Sequence, residues 1–445
     1  MRHGFTLLLL ALSGCATYAP VPLDSGPGML AAPDIAALSA EAGTIDRPYL
    51  KPVSIDLASP LDGNAVATLA VIANPDLRAA RARAGVSDAQ AFAARLLPDP
   101  TLSLGASKVL SGPDPFADLA TGLGFDLAAL RTRGVQIVQA KAAARQVRLD
   151  LAWSEWQTAG SARIQAVRIL SLEDAVALAQ ATRTNARSLL ERNQRAAGRG
   201  DIAADPVQVA RLAAADAEDK ARVAERDLAA ARLELTRLLG LPPETDLRLA
   251  HEPRRDAALD SARLFDIARA NRTDIKALQA GYASQEAAVR KAILDQFPTL
   301  GLTVNVSRDT SGNFILGPAI DFTLPLWNRN RGGIAVERAT REALKAEYEA
   351  RLFQTRAEIA AAVSGIEVAR RQRDAVQRDL PSAQNYAEAS RRAAGRGDIA
   401  LSIAEATEQA LRDKQALLAQ SEQAITEQMI ALELLTGTLR EAWIQ

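Results

Sequence analysis

The nine-residue stretch RAAGRGDIA decides the organisation of this 445-residue chain, because it occurs at residues 195–203 and again, 197 positions later, at residues 392–400. Other landmarks repeat with the same offset or one more: Asn74, Asp76, Pro100, Leu102 and Gly240 correspond to Asn271, Asp274, Pro298, Leu300 and Gly437. We therefore divide the chain into two tandem repeats, residues 59–250 and 251–445, each far longer than the roughly 20 to 50 residues of a solenoid repeat. The duplication predicts a fold with internal pseudo-symmetry.

The hydrophobic period changes in the same order in both repeats. Residues 65–96 and 262–296 contain few helix breakers and predict helices that stop near Pro98 and Pro298. Alternating apolar and polar residues follow and predict two β-hairpins, four strands in all. The apolar positions are Leu102, Leu104, Ala106, Leu119, Leu123, Phe125 and Leu127 in the first repeat, and Leu300, Leu302, Val304, Val306, Ile320, Phe322 and Leu324 in the second.

A very long helical segment follows each hairpin, at about residues 131–194 and 332–391. In the second segment apolar residues recur at the spacings of a coiled-coil seam: Tyr348, Leu352, Ile359, Val363 and Ile366. RAAGRGDIA ends each long helix, and a shorter helix of roughly 35 residues returns from it. Because each short helix is about half as long as the long one, we expect two short helices to stack end to end beside it.

The N-terminal residues predict export and lipid attachment. Arg2 precedes an apolar run that is too short to cross a bilayer as a helix, so residues 1–14 are interpreted as a signal peptide. The tetrapeptide LSGC, which ends at Cys15, resembles the bacterial lipobox, in which the cysteine receives an S-diacylglycerol and an N-acyl chain. Cys15 is the only cysteine, so no disulfide can form within the chain. Residues 15–58 are rich in proline, glycine and serine and are expected to form an extended, lipidated arm.

Charge and residue content argue against several functions. The chain has 53 basic and 53 acidic residues, and this balance gives no electrostatic basis for binding nucleic acid. Removal of the signal peptide takes away His3 and leaves His251 as the only histidine, and the lipid occupies the cysteine. We therefore expect no metal site, no cofactor beyond the acyl groups on Cys15, and no enzymatic activity.

The four strands cannot close a barrel by themselves. An open sheet in a membrane would leave backbone groups unpaired, at a cost of several kcal/mol each. Strands of roughly nine or ten residues with one apolar face suit a membrane barrel, so we expect partner strands from other copies of the chain. Asp126, Asp321, Thr303 and Asn305 would then face a watery lumen together with the strand glycines.

Several stretches between residues 65 and 437 resemble the TolC-like outer-membrane efflux family. They are NRTDIKALQAGYASQEAAVRKAILDQFPTLGLTV, DFTLPLWNRNRGGIA, LELTRLLGLPPE and the two RAAGRGDIA segments. LPLWNRNRGGIA and GDIA look most like the branch associated with heavy-metal cation exporters. The first repeat departs from the family pattern, because GFDLAALRTRG stands where the second has LPLWNRNRGG. The second tip also departs from it, with Leu401 and Ala404 where some relatives carry aspartates that help to close the aperture.

The resemblance implies a mainly α-helical protein with a membrane β-barrel part. Family members are homotrimers with a twelve-stranded barrel in the outer membrane of a Gram-negative bacterium and an α-helical tunnel in the periplasm. The implied function is that of an outer-membrane channel, the passive exit duct of a tripartite efflux system. Its tapered end would be opened by a periplasmic adaptor (a membrane fusion protein) and an inner-membrane pump of the RND type, and its barrel would contact outer-membrane lipids.

In that resemblance the two RAAGRGDIA segments are the periplasmic tips of the tunnel. Glycine ends a helix readily because it adopts positive φ with little penalty. The charged neighbours would either pair between subunits, latch the gate and contact the adaptor, or be ordinary solvated turn residues. The residues concerned are Gly198, Arg199, Gly200, Asp201, Gly395, Arg396, Gly397 and Asp398.

The tryptophans have different expected roles. Trp327 follows Pro325 at a strand end, and we interpret it as an anchor at the membrane interface in preference to a core residue. Trp153 and Trp156 lie within a long helical segment and are interpreted as packing residues.

Two other protein classes are weighed against the duct. A periplasmic lipid-anchored coiled-coil adaptor or scaffold would have one helical hairpin flanked by glycine-containing strands, whereas this chain has two unequal hairpins and two strand pairs. A lipoprotein hydrolase would need a nucleophile with its base or a metal cluster, and the sequence shows neither pattern.

Overall fold

The computed structural model describes residues 18–23, 33–108, 110–111, 117–252, 258–308 and 312–443. The chain divides into two units, Met1–Asp34 and Ile35–Gln445. The described parts of the first unit contain no helix or strand. Cys15 and the predicted signal peptide lie outside the described residues, so lipidation stays a prediction. Every described helix and strand belongs to the second unit.

The second unit begins with α1 (Ile35–Gly43), a helix inside the stretch that the sequence predicts to be extended. The alanine-rich run IAALSAEAG favours helix, and this local propensity was hidden among the prolines and glycines on either side. Ala42 and Ile55 are buried in the apolar core of the first repeat. Residues 35–58 are therefore folded onto the first repeat instead of extending away from it.

The two repeats have the same order of elements, as predicted. The first comprises α2 (Gly63–Ala73), α3 (Pro75–Ala93), β1 (Thr101–Lys108), β2 (Ala117–Asp126), α4 (Leu127–Gly198) and α5 (Ala204–Leu238). The second comprises α6 (Ser261–Asn271), α7 (Thr273–Leu294), β3 (Leu300–Arg308), β4 (Phe314–Phe322), α8 (Arg331–Arg396) and α9 (Leu401–Thr436), followed by a 3-10 turn at Arg440–Trp443.

The helix predicted before each hairpin is two helices in the structure. Asn74 separates α2 from α3 and Arg272 separates α6 from α7, with ψ angles of 125° and 123° that interrupt the helix. The Leu77 N–H donates to the Asn74 side chain (3.0 Å), and Pro75 occupies the first position of α3, where its missing N–H costs nothing. The counterpart of Asn74 is thus Arg272, whereas the sequence comparison pairs it with Asn271, the last residue of α6.

The long helices organise the packing. α4 has 72 residues and α8 has 66, which at the helical rise gives lengths of about 108 and 99 Å. α3 and α5 both pack on α4, and α7 and α9 both pack between α4 and α8. Within each pair the short helices meet end to end, as predicted. The Asn74 side chain donates to the Leu238 carbonyl (2.9 Å), and Arg272 donates to the Leu435 carbonyl (3.3 Å).

Each repeat has its own apolar core near these helix junctions. The core of the first repeat includes Leu69, Ile169 and Leu235, and that of the second includes Ile359 and Leu432. Of the predicted coiled-coil seam, Ile359, Val363 and Ile366 are buried, and Tyr348 and Leu352 are half-buried. The seam was therefore predicted correctly in its tip-side half, where α9 covers it.

The four strands form one antiparallel sheet in the order β1-β2-β3-β4. The register places Leu102, Leu123 and Val304 side by side, and places Ser103, Gly122 and Asn305 side by side. Since successive side chains of a strand point to opposite faces, one face of the sheet is mainly apolar and the other is mainly small or polar, with Thr121 on the first and Ile315 on the second among the exceptions. Asp126, Gly301 and Asp321 align on the polar face. The strands end at Asp126 and Phe322, so Leu127 and Leu324 lie just beyond them.

Candidate functional site

The two RAAGRGDIA segments form the same turn at the ends of α4 and α8. In the first, the Asp201 N–H donates to the Ala196 carbonyl (3.0 Å) and the Gly200 N–H donates to the Ala197 carbonyl (2.9 Å). This pair of bonds closes a helix C-terminus and needs a left-handed residue, which Gly200 supplies with φ of +80°. Gly397 has the same φ and the same bonding pattern in the second turn.

The four tip glycines are not equivalent. Gly198 and Gly395 lie within the last helical turn, and an added Cβ would meet no atom within 4 Å at either position. The turn geometry therefore requires glycine at positions 200 and 397 but not at 198 and 395, where the sequence suggested the same role.

The charged tip residues pair within their own turns. Arg199 Nε donates to Asp201 Oδ2 and Arg396 Nε donates to Asp398 Oδ2, both at 2.8 Å. All four side chains are more than half exposed, at 54% to 66%. Both turns therefore present one arginine and one aspartate to solvent, and pairing between subunits stays a prediction.

An ion pair joins the two helical hairpins close to the tips. Arg192 of α4 contacts Glu405 of α9 at 2.8 Å, and both side chains are partly exposed. The two residues are 213 positions apart in different repeats, so sequence periodicity gave no signal for this contact.

A groove runs beside this ion pair, between α4, α5 and α9. It has a volume of about 890 Å³ and is lined by alanines, such as Ala179 and Ala217, and by charged residues, such as Asp174, Lys220 and Arg412. A smaller groove of about 370 Å³ lies between α8 and α9, where Tyr386 and Ile403 are exposed. Both grooves lie within about eight helical turns of the tips and offer surfaces for another helix.

At the other end of the long helices, the sheet has two free edges. β1 and β4 each pair with one strand only among the described residues. The apolar face is exposed along its length: Leu104, Leu316 and Ile320 are each at least 65% exposed. A sheet with unpaired edges and a bare apolar face is incomplete in one chain.

The connection after β4 carries Trp327, whose side chain is 87% exposed. Two residues of this loop, Arg329 and Asn330, have positive φ, and the Asn330 side chain donates to the Ala292 carbonyl (2.8 Å). The first repeat has no such loop, because β2 runs directly into α4 and Asp126 caps that helix by accepting from the Ala129 N–H (2.9 Å). The sequence departure at GFDLAALRTRG is thus a change in the strand-to-helix connection.

The middle of α4 holds a buried charge network that the sequence did not reveal. Arg163 contacts Glu252 (2.9 Å) and Glu433 (2.6 Å), and Arg440 contacts the same two glutamates (3.3 and 3.2 Å). Glu433 is 2% exposed, and burial raises the pKa of its carboxyl against the opposing effect of Arg163 and Arg440. The network links α4 of the first repeat to α9 of the second.

A second buried carboxyl, that of Glu155, lies about two helical turns before Arg163 on α4. Arg47 (2.7 Å) and Arg81 (2.8 Å) contact it. Burial alone would raise the pKa of Glu155, but the hydrogen bonds from the two arginines outweigh this effect and hold the pKa below its ordinary value of 4.5.

The Trp156 ring packs edge-on against Tyr49 with centroids 4.6 Å apart, so it is a packing residue as predicted. Trp153 packs against the Arg272 guanidinium.

The described ranges show no group of histidine, cysteine, aspartate and glutamate side chains that could hold a metal ion. Nor do they contain a helix that is both long and apolar enough to cross a bilayer.

Comparisons with known proteins agree on one architecture. Residues 264–438 match the family described as outer membrane efflux protein. No curated protein sequence matches the chain. Solved structures with the same fold include CusC, which forms a transmembrane channel (18% identity, TM-score 0.70, covering 88% of this chain and 97% of its own). They also include the CmeC outer membrane channel of Campylobacter jejuni (14%, 0.71, 95% and 94%) and the outer membrane protein VceC of Vibrio cholerae (17%, 0.69, 85% and 96%).

Proposed function

We propose that the protein is the exit duct of a tripartite efflux system, because residues 264–438 match the outer membrane efflux protein family and the chain has the fold of outer-membrane channels. The resemblance inferred from the sequence is thereby confirmed. These findings favour the channel over a lipid-anchored adaptor or scaffold.

The observation that carries the proposal is the incomplete sheet above the long helices. Its apolar face suits lipid, its polar face suits water, and its free edges at β1 and β4 need strands from other copies. Three copies supply twelve strands, so the channel is a homotrimer with a barrel in the outer membrane. The helices continue this barrel as a tunnel in the periplasm.

We propose that the tunnel is gated at the RAAGRGDIA tips. Three chains place six such turns around its mouth, with an arginine and an aspartate on each. An adaptor that binds the helical grooves better in the open form would shift the closed-to-open equilibrium. The Arg192–Glu405 contact must stretch or break if the two hairpins separate.

The remaining parts of the proposal concern chemistry and attachment. The chain is passive and performs no reaction, and an inner-membrane pump of the RND type supplies the energy. Cys15 carries an S-diacylglycerol and an N-acyl chain that tether the protein to the membrane, and Trp327 anchors the barrel end at the interface.

Native mass spectrometry of the mature protein in detergent tests the assembly and the lipid together. We expect a trimer in which each chain begins at Cys15 with its acyl groups, and a Cys15→Ser variant that lacks them. A monomer that forms no pores after reconstitution would contradict the exit duct.

A further inference from the structure

Five arginines surround the end of the sheet where the strands join the helices: Arg95, Arg131, Arg133, Arg329 and Arg331. We call them the arginine collar. Arg95 follows α3, and Arg131 and Arg133 lie in the first two turns of α4. Arg329 lies between β4 and α8, and Arg331 is the first residue of α8. Within the described part of the chain, none of the five has a carboxylate at salt-bridge distance, whereas Arg163 in the middle of α4 and Arg192, Arg199 and Arg396 near the tips each have one.

Instead of pairing with carboxylates, Arg131 and Arg133 donate hydrogen bonds to backbone carbonyls. Arg131 donates to the Pro298 carbonyl (3.0 Å) and packs against the Phe297 ring. Arg133 donates to the carbonyls of Leu96 and Arg95. These contacts hold neighbouring connections together and leave the charges of the arginines without a counterion.

The same connections expose large apolar side chains. Leu97 is 66% exposed and Trp327 is 87% exposed, and Leu96, Phe297, Leu324 and Leu326 are also exposed. A surface with this composition continues the apolar face of the sheet toward the helices. Its edge therefore belongs where hydrocarbon meets headgroups.

The carboxylates of these segments do not balance the collar. Asp126 accepts the N–H that caps α4, and Asp295 pairs with Lys291 at 2.8 Å. Asp99 is the other carboxylate between residues 94 and 100, and Asp321 lies on the polar face of the sheet. The outer rim thus keeps an excess of positive charge next to exposed apolar groups.

We propose that the arginine collar binds the phosphate groups of anionic phospholipids in the leaflet that faces the helices. This inference rests on the proposed function, since it needs the sheet to lie in a membrane. A planar guanidinium matches two phosphate oxygens at once, and the unpaired collar offers several of them around each protomer. Each basic residue close to an anionic surface contributes about 1 kcal/mol, or about a fivefold preference.

Trp327 provides a local probe, because its fluorescence is quenched by brominated lipids that lie beside it. The mature protein is reconstituted into vesicles that contain brominated phosphatidylglycerol or brominated phosphatidylcholine in a non-brominated background. The chain has four tryptophans, so the fluorescence of Trp327 is obtained as the difference between wild type and a Trp327→Phe variant.

We expect wild type to prefer phosphatidylglycerol by about fivefold or more, and the triple variant Arg95→Gln, Arg329→Gln, Arg331→Gln to lose this preference. A matched control, Arg187→Gln, Arg211→Gln, Arg356→Gln, neutralises three exposed arginines on α4, α5 and α8 and should retain it. Equal quenching by both lipids in wild type, or equal loss in the control, would overturn the proposal.

Pore formation is measured on the same vesicles to separate the two proposals. Pores in wild type without a lipid preference would refute the collar and leave the exit duct standing. Absence of pores in wild type would refute both.

Discussion

The middle of α4 and the tips of the molecule use the same contact, an arginine with a carboxylate, in opposite surroundings. At the middle, Arg163 and Glu433 are 12% and 2% exposed and 2.6 Å apart. At the first tip, Arg199 and Asp201 are 66% and 55% exposed and 2.8 Å apart. An exposed pair contributes roughly 0.2 to 1 kcal/mol, whereas removing one partner of a buried pair costs about 3 to 5 kcal/mol. The two distances are nearly equal, so burial and not distance distinguishes the contact that holds the repeats together from the contact that can open.

The largest expected effect is therefore at the middle. Arg163→Met should destabilise the protein by about 3 to 5 kcal/mol, because Glu252 and Glu433 would then share only Arg440. Thermal unfolding followed by circular dichroism measures this. As a control, Arg226→Met breaks the exposed contact with Asp227 and should change stability by less than about 1 kcal/mol. Equal melting temperatures for both variants would show that burial of the network is energetically unimportant.

The glycines give the next contrast. Gly240 has φ of +61°, and an added Cβ would clash with the Ala73 carbonyl oxygen, at the junction of α5 with α3. Gly240→Ala should cost more than about 2 kcal/mol, since the left-handed strain and the clash add. Gly198→Ala at the tip meets no atom and sits in a helix, so it should be neutral or stabilising by up to about 1 kcal/mol. The same unfolding experiment checks both, and a destabilised Gly198→Ala would mean that the tip is more closely packed than its geometry indicates.

The buried glutamates predict opposite responses to pH. The pKa of Glu155 is lowered in the folded protein, so its stabilising effect is present above pH 4.5 and is lost as pH falls through the folded pKa. The pKa of Glu433 is raised, so the folded state is weakened as pH rises above 4.5 through the folded pKa. On acidification, the stability of wild type minus that of Glu155→Gln should therefore fall, whereas the stability of wild type minus that of Glu433→Gln should rise. Melting curves from pH 3 to 8 test this, and parallel profiles for the two variants would contradict the opposite pKa shifts of the two glutamates.

The smallest expected effect on stability is at the tips. Reversing Asp201 and Asp398 to lysine removes two exposed pairs and should lower stability by less than about 1 kcal/mol per turn. Thermal unfolding again measures it, with Asp219→Lys on α5 as an exposed control. A loss as large as that of Arg163→Met would mean that the tips are a structural joint and not a movable one.

The sequence predicted those parts of the structure that local pattern determines. Duplication, four strands with defined faces, and the positions of the two tips all follow from periods and glycines within a few residues of each other. The stacking of short helices along α4 followed from their lengths.

Contacts between distant residues could not be predicted in this way. Arg163 meets Glu252 and Glu433 across 89 and 270 positions, and no period links them. The break at Asn74 had a local signal that was missed, since Asn74 and Pro75 form a helix start. The break at Arg272 has no such cap, and both breaks lie where a second short helix ends, at Leu238 and Leu435. The helix in the N-terminal arm was hidden by its proline-rich neighbours.

Single-channel recording in planar bilayers tests the gated duct most directly. The wild-type protein should insert as a pore of low basal conductance, and the Asp201→Lys, Asp398→Lys variant should show a higher basal conductance or weaker adaptor binding, because like charges then surround the tunnel mouth. Asp219→Lys should behave as wild type. A wild-type protein that forms no pores would contradict the exit duct. A double variant with unchanged conductance and unchanged adaptor binding would show that the tip charges take no part in gating.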